Sequence, residues 1–287
     1  MATGATEFMD NTTAANVIPE LWVREGVLAR NQELLMAELV NRQWENDLIY
    51  GDTMHVPQRS HLATRTKTIS GNAAITYETN TETNIDITVS TWEYVAIALE
   101  TVTAVQANHD LLSFYAPEMG YALALSVDDA LAALIDDFSL TDGVLNTPLT
   151  YVNMLGARQS LRDANAPRGD TYIVISPAQE AEFMQIDQFV HSDFGALHGD
   201  VNNGVREAYI GTWMQNPVFV TTNVEGSNAA GHDNGMFQRE ALALVMQMRP
   251  RSHAMFDIDY LADKAATEQL YGLREMRNDH GYFLPGK

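Results

Sequence analysis

Asp128-Asp129 and Asp136-Asp137 are two adjacent carboxylate pairs, eight residues apart. Paired carboxylates can hold a divalent cation or divide acid and base roles between them. Here they fall largely off an apolar helical stripe, so they read as the solvated side of a helix. His191 and His198 share a stretch with Asp193 and Asp200. Imidazole and carboxylate groups are metal ligands, but these four lack the helical spacing of a zinc site. They are the basis of one alternative function, a metal-assisted hydrolase using the loop 191–200. The run from Asp200 to Gly204 hints at a calcium loop. Its Gly is one place early, however, and no Glu stands at the twelfth position.

Other residue types are missing altogether. The chain has no cysteine, which excludes thiol nucleophiles, thiolate zinc sites and disulfides. No Gly-rich phosphate loop, nucleophile-elbow serine or paired-histidine zinc motif occurs. Arg168-Gly169-Asp170 is a turn before an apolar run, and the sequon Asn11-Thr12-Thr13 follows no signal peptide. No catalytic residue, metal site or cofactor is assigned, and the chain is not expected to be an enzyme.

Charge narrows the partners. Seventeen basic residues against 38 acidic ones give a formal net charge of −21, and only Lys67, Lys264 and Lys287 are lysines. Such a chain repels a phosphate backbone unless it carries a basic patch. The closest clusters are Arg59, Arg65 and Lys67, and Arg249 with Arg251. Sequence-specific nucleic-acid binding is not expected. Nor is a membrane partner, because no apolar run approaches the roughly 18 residues that span a bilayer.

The elements that would position these residues follow from periodicity. At 287 residues and 46% hydrophobic, the chain can bury a core in one large domain or two linked ones. Residues 1–16 are small, polar and acidic and read as an arm. Pro19 and Glu20 suit a helix start, and the apolar spacing extends that helix to about Trp44. Tyr50 to Thr53 is a turn, followed by a short strand that Pro57 confines to an edge. Nine of the 31 residues from His61 to Thr91 are Thr, and Ser70-Gly71-Asn72 is a turn signal. Ile85, Ile87 and Val89 alternate with polar residues, the period of a strand with one apolar face. A long two-stranded arm results, which makes sense if a neighbouring subunit covers it.

Residues 104–138 form the longest helical pattern. Tyr121, Ala124, Val127, Leu131, Leu134 and Phe138 make its stripe, and Pro117 marks a helix start or a kink. Beyond it, 150–164 reads as a helix and Thr171–Ile175 as a buried strand. Ser176-Pro177 caps another helix, and strands follow at 208–213 and 217–221. Phe189 to Gly204 and Glu225 to Gly235 read as polar loops. Glu240 to Met248 is apolar and fits strand or helix, Ala254 to Tyr260 alternates, and Glu268 to Arg277 contains a last strand. Met246, Met248 and Met255 read as core.

The ordered series carries a resemblance. Ile18-Pro19-Glu20-Leu21-Trp22, Asn41-Arg42, Tyr50-Gly51-Asp52-Thr53 and the Thr-rich arm come first. Asp128-Asp129-Ala130-Leu131, Pro167-Arg168-Gly169-Asp170 and Ile175-Ser176-Pro177 come next. Ile210-Gly211, Gln247-Met248-Arg249-Pro250 and Tyr271-Gly272 complete it. Over nearly its whole length the chain resembles the major capsid proteins of tailed bacteriophages. The resemblance implies an α+β, Hong Kong 97-like phage capsid fold. It implies an N-terminal arm and first helix (1–48), an extended β loop (49–92), a peripheral domain with a long spine helix (93–140) and an axial domain (141–245). Strands from 246–287 would return to complete both domains.

By the same resemblance the protein is a structural coat protein. It would assemble with itself into pentamers and hexamers, and these into an icosahedral shell around packaged DNA in the virion, built in the host cytoplasm. Scaffolding, portal and decoration proteins would be its further partners. Another virion structural protein, from a tail or a decoration, is the remaining alternative. The expected inter-subunit contacts lie on the arm: Arg59, Arg65, Lys67, Ile85, Ile87 and Val89. Ile85→Asp and Ile87→Asp are both expected to leave the subunit folded and block assembly. Some relatives cross-link a loop lysine to a neighbour's asparagine. Lys67 is the only lysine on this arm, and no partner for it is identified.

Overall fold

A computed structural model describes residues 34–48, 50–59, 62–67, 69, 74–79, 82–106, 111–186 and 209–287. The acidic arm, the helix start at Pro19, the Ser70-Gly71-Asn72 turn and the histidine loop lie outside these residues. The described chain begins with a one-turn helix α1 (Met36–Leu39). It does not run to Trp44. Val40 turns extended, so that Asn41 can bridge to Ala243 through backbone bonds with Leu242 and Leu244, both 3.0 Å. Tertiary pairing overrides the local helical pattern here.

Strands β1 (Thr53–Arg59) and β2 (Glu82–Thr88) then form an antiparallel hairpin pairing Thr53 with Thr88 and Arg59 with Glu82. Pro57 sits in this two-stranded ladder, where an edge tolerates its missing N–H. Strand β3 (Thr91–Glu100) leads into helix α2 (Thr101–Gln106). Helix α3 (Leu111–Ala132) continues as a 3₁₀ turn, Ala133–Ile135. Pro117 lies inside α3 and does not start a helix. At 1.5 Å per residue α3 is about 33 Å long. Its buried stripe is Met119, Leu123, Val127, Leu131, Ile135 and Phe138, so Leu123 takes the place expected of Ala124.

Helix α4 (Tyr151–Asp163) lies within the stretch 150–164 that reads as a helix, and its cap at Thr150 was not anticipated. The Thr150 Oγ1 accepts from Asn153 N, and the Asn153 side chain accepts from Thr150 N at 2.9 Å, a reciprocal cap. Strand β4 (Thr171–Ile175) is buried, and Ser176 caps α5 (Pro177–Phe183) by accepting from Gln179 N at 3.1 Å. Strands β5 (Tyr209–Trp213), β6 (Asn216–Val220), β7 (Gly226–Ser227), β8 (Gly231–Gln238), β9 (Leu242–Asp257), β10 (Ala262–Glu275) and β11 (Gly281–Gly286) complete the chain.

Glu225 to Gly235 is therefore no loop. Gly226 and Gly231, both at positive φ, close a tight β7–β8 pairing. The polar residues of β8 are satisfied inside the protein: Asn234 accepts from Ser176 N at 2.7 Å, and His232 bonds Asn228 at 3.1 Å. Nor is the strand ending at Glu275 the last, since β11 pairs with β8.

A mixed sheet runs β11-β8-β4-β6-β5, with β7 on β8 and one parallel pair, β4 with β6. A three-stranded antiparallel sheet runs β3-β10-β9. One core joins α1, α3 and both sheets through Leu39, Leu131, Phe138, Phe237, Leu244 and Tyr271. A second lies between α4 and the mixed sheet around Met154, Leu161, Ile173 and Trp213. Helix α3 is clamped to the three-stranded sheet by Glu93, which accepts from Ser126 Oγ at 2.8 Å, Tyr271 Oη at 3.1 Å and Gln269 Nε2 at 3.1 Å. Burial, with the Glu93 carboxylate beside it, pushes the Tyr271 phenol up to about 12.

The hairpin root crosses β10 at Gly272. A Cβ there would meet the Thr88 carbonyl oxygen at 2.4 Å, a backbone atom that cannot swing away. Gly272→Ala is expected to lower stability by about 1–3 kcal/mol, as overpacking does. Urea denaturation of the purified subunit checks it, and an unchanged midpoint would refute the close approach.

Candidate assembly surfaces

The hairpin divides its apolar face between two environments. Ile87 is fully buried and Val89 nearly so, in a third core with Leu48, Ala243, Val245 and Met276 of the same subunit. This corrects the expectation that both side chains contact a neighbour: the pleat turns them inward where the hairpin root lies on β9 and β10. Ile85 is half-buried. With Val56, Trp44 and Met276 it lines a groove of about 750 Å³ between hairpin and body, whose charged rim includes Arg59, Glu240, Arg277 and Asp279. Arg59, Arg65 and Lys67 are exposed, as are Leu62, Ile69, Ile75 and Tyr77 beyond the ladder. Glu78 accepts from Ala63 N at 3.1 Å and ties the two sides of the loop together.

A second surface is the outer face of the three-stranded sheet, and the residues at its centre were not anticipated. The strict alternation of β3 puts Glu93, Val95 and Ile97 inward and Trp92, Tyr94 and Ala96 outward. The sequence carried no signal for this face: Glu93 lies on the covered side and Trp92 and Tyr94 on the open one, the reverse of what a polar–apolar period in residues 91–100 would suggest. Glu268 organises this face. It accepts from Trp92 Nε1 at 2.9 Å and Arg251 Nε at 2.9 Å, with His253 Nε2 at 3.5 Å. The Arg251 guanidinium beside Glu268 holds its carboxyl below the ordinary range. Nearby, Lys264 contacts Asp257 and lies 4.4 Å over the Tyr260 ring. Its hydrogen bond holds the Asp257 carboxyl down. At the β9–β10 tip Phe256, Ile258, Tyr260 and Leu261 are exposed, and Met255 beside them is 67% exposed and is not core. Clustered exposed apolar side chains mark an interaction surface.

Asp128 is not solvated. It is 0% exposed, accepting from Met36 N at 2.7 Å and from Asn223 Nδ2 at 2.7 Å. Burial pushes its carboxyl up, against the hydrogen bonds from Asn223 and Met36. The carboxylate joins α3, the start of α1 and the segment after β6. Asp129, Asp136 and Asp137 are exposed, as expected for the outer side of the helix. Among the described residues, no group of three or more His, Cys, Asp or Glu could hold a metal ion. No described helix is long and apolar enough to cross a membrane.

Comparison with known proteins agrees with this geometry. The profile of a phage capsid protein family matches residues 65–270. No match was found among curated proteins. Among solved structures, the chain is similar to one from Mycobacterium phage Che8, with a TM-score of 0.78 and 19% identity over 93% of this chain and 96% of that one. It is also similar to the capsid structure of the cyanophage P-SCSP1u, with a TM-score of 0.75 and 14% identity over 95% and 94%. The capsid of Ralstonia phage GP4 gives a TM-score of 0.68 and 12% identity over 100% and 99%. At these identities the likeness shows the fold, which is Hong Kong 97-like. With the family profile matched over most of its length, the chain belongs to the phage capsid proteins.

Proposed function

We propose that this protein is the major coat subunit of a tailed phage, and that its copies form pentamers and hexamers that tile an icosahedral shell around packaged DNA. The observation that carries this reading is the family match over 65–270, joined to two exposed surfaces on one subunit. The hairpin with Arg59, Arg65, Lys67 and Ile85 is the extended loop, reaching a neighbour. Helix α3 is the spine of the peripheral domain, with the three-stranded sheet on one side. The mixed sheet with α4 and α5 is the axial domain, which meets its copies head to tail, a heterologous contact that closes into rings. Each copy touches many others, so modest interfaces suffice once multiplied. The −21 charge suits a wall from which DNA must be released. Assembly takes place in the host cytoplasm, with scaffolding, portal and decoration proteins as further partners.

Negative-stain electron microscopy tests this directly, on the chain expressed alone and with the proteins encoded beside it. Shells, tubes or ring capsomers are expected. Discrete small globules under every condition would sink the reading.

A further inference from the structure

Three arginines gather where α4 ends. Arg158 and Arg162 are four residues apart and share one side of the helix, and Arg168 follows in the turn before β4. Burial pushes the Arg162 guanidinium down, and the charges of Arg158 and Arg168 push it further. No carboxylate among the described residues forms an ion pair with any of the three. Arg158 rests on the Met214 thioether, a weak acceptor. Arg42, Arg251, Lys264 and Lys287, by contrast, each meet a carboxylate of their own subunit.

Beneath the arginines lies an independent feature. Arg158 and Arg162 close over a seam with Thr171 and Asn216 that is too tight to admit a water unless the arginine side chains move. Asn216 opens β6 directly after the two-residue turn Met214-Gln215, whose φ values of 47° and 73° give the tight hairpin that fixes its place. It is 2% exposed, and its Nδ2 has no acceptor. A buried donor without a partner is costly and rare in a finished fold. Both arginines are half-exposed, and their long stems can turn aside.

We propose that Arg158, Arg162 and Asn216 form a docking site for a carboxylate of a neighbouring copy of this chain. The inference rests on the shell-forming reading above and names one of its contacts. Guanidinium groups hold a carboxylate or a phosphate through two parallel hydrogen bonds. Charge favours the carboxylate. Each copy carries 38 acidic residues against 17 basic ones, so an approaching copy presents carboxylates and is repelled unless unpaired basic groups meet it. A phosphate of enclosed DNA is the competing ligand.

The test uses the full chain carrying Arg158→Glu and Arg162→Glu together, with assembly read by sedimentation and electron microscopy. Circular dichroism and urea denaturation are expected to show an unchanged fold. The yield of shells should fall at least about tenfold relative to the unmodified chain at the same concentration and salt, because like charges then face each other. Arg162→Lys gives a second readout that does not depend on disrupting assembly. Carbodiimide treatment of its particles should produce chain dimers joined from position 162 to an Asp or Glu, identified by mass spectrometry. Undiminished shell yield from the charge-reversed chain, with no cross-link at 162, would overturn the site and leave the shell reading standing. An unmodified chain that stays monomeric at every concentration would overturn both. If Arg158→Ala with Arg162→Ala assembles normally but its shells retain a labelled duplex oligonucleotide less well, the arginines serve phosphate and the carboxylate proposal fails.

Discussion

Ile87→Asp is expected to unfold the subunit, whereas Ile85→Asp, two residues away on the same strand, should spare the fold and impair assembly. Ile87 is 0% exposed and packs in the core that seals the hairpin root to β9. Losing its side chain from that core costs about 1.5–3 kcal/mol. Enclosing a carboxylate there, with no cation in the cluster, adds several more. The sum approaches the roughly 5–15 kcal/mol that holds a domain together. Ile85 is only half-buried at the groove, so the same change should cost the fold about 1–2 kcal/mol. Urea denaturation followed by circular dichroism separates the two variants, and particle yield reads the assembly effect. Equal midpoints for both would mean that Ile87 does not belong to its own subunit's core.

Asp128→Ala carries the second large effect. The carboxylate takes hydrogen bonds from Met36 N and Asn223 Nδ2, residues 92 and 95 positions away. Alanine leaves both donors buried and unsatisfied, at about 1–3 kcal/mol each, so a loss of about 2–6 kcal/mol is expected. Asp128→Asn should be far milder, since its amide can accept from Met36 N and donate to Asn223 once that side chain flips.

The pair also predicts a pH dependence. The folded carboxyl of Asp128 is raised above its ordinary value, chiefly by burial. From the ordinary carboxylate range up to the raised value, the folded state therefore binds more protons than the unfolded one. Its contribution to stability is greatest below that window and declines as pH rises through it. The difference in unfolding free energy between the native chain and Asp128→Asn should shift against the native chain over the same interval. A difference that is flat in pH would show that Asp128 has the same affinity for protons folded and unfolded. Alanine with a native midpoint would show that the two hydrogen bonds do not hold α1 and the segment after β6 to α3.

Features that rest on near neighbours were legible from residue order. The cap at Ser176, Pro177 at the start of α5, the apolar run of β4 and the alternation of β2 are each set within about one turn or a few residues. The ordered series of such signals also carried the family, which the profile match then established. Which side each pattern faces depended on segments that pack from far along the chain. Asp128 sits beside the stripe of α3 and looked solvated, but α1 and the segment after β6 close over it. Ile87 and Ile85 have the same period and the same face, yet β9 covers one and leaves the other at a groove. The polar segment from Gly231 became a buried strand because Ser176, far off in sequence, supplies the donor that Asn234 accepts. Burial depends on what packs from a distance, and local periodicity contains no information about that partner.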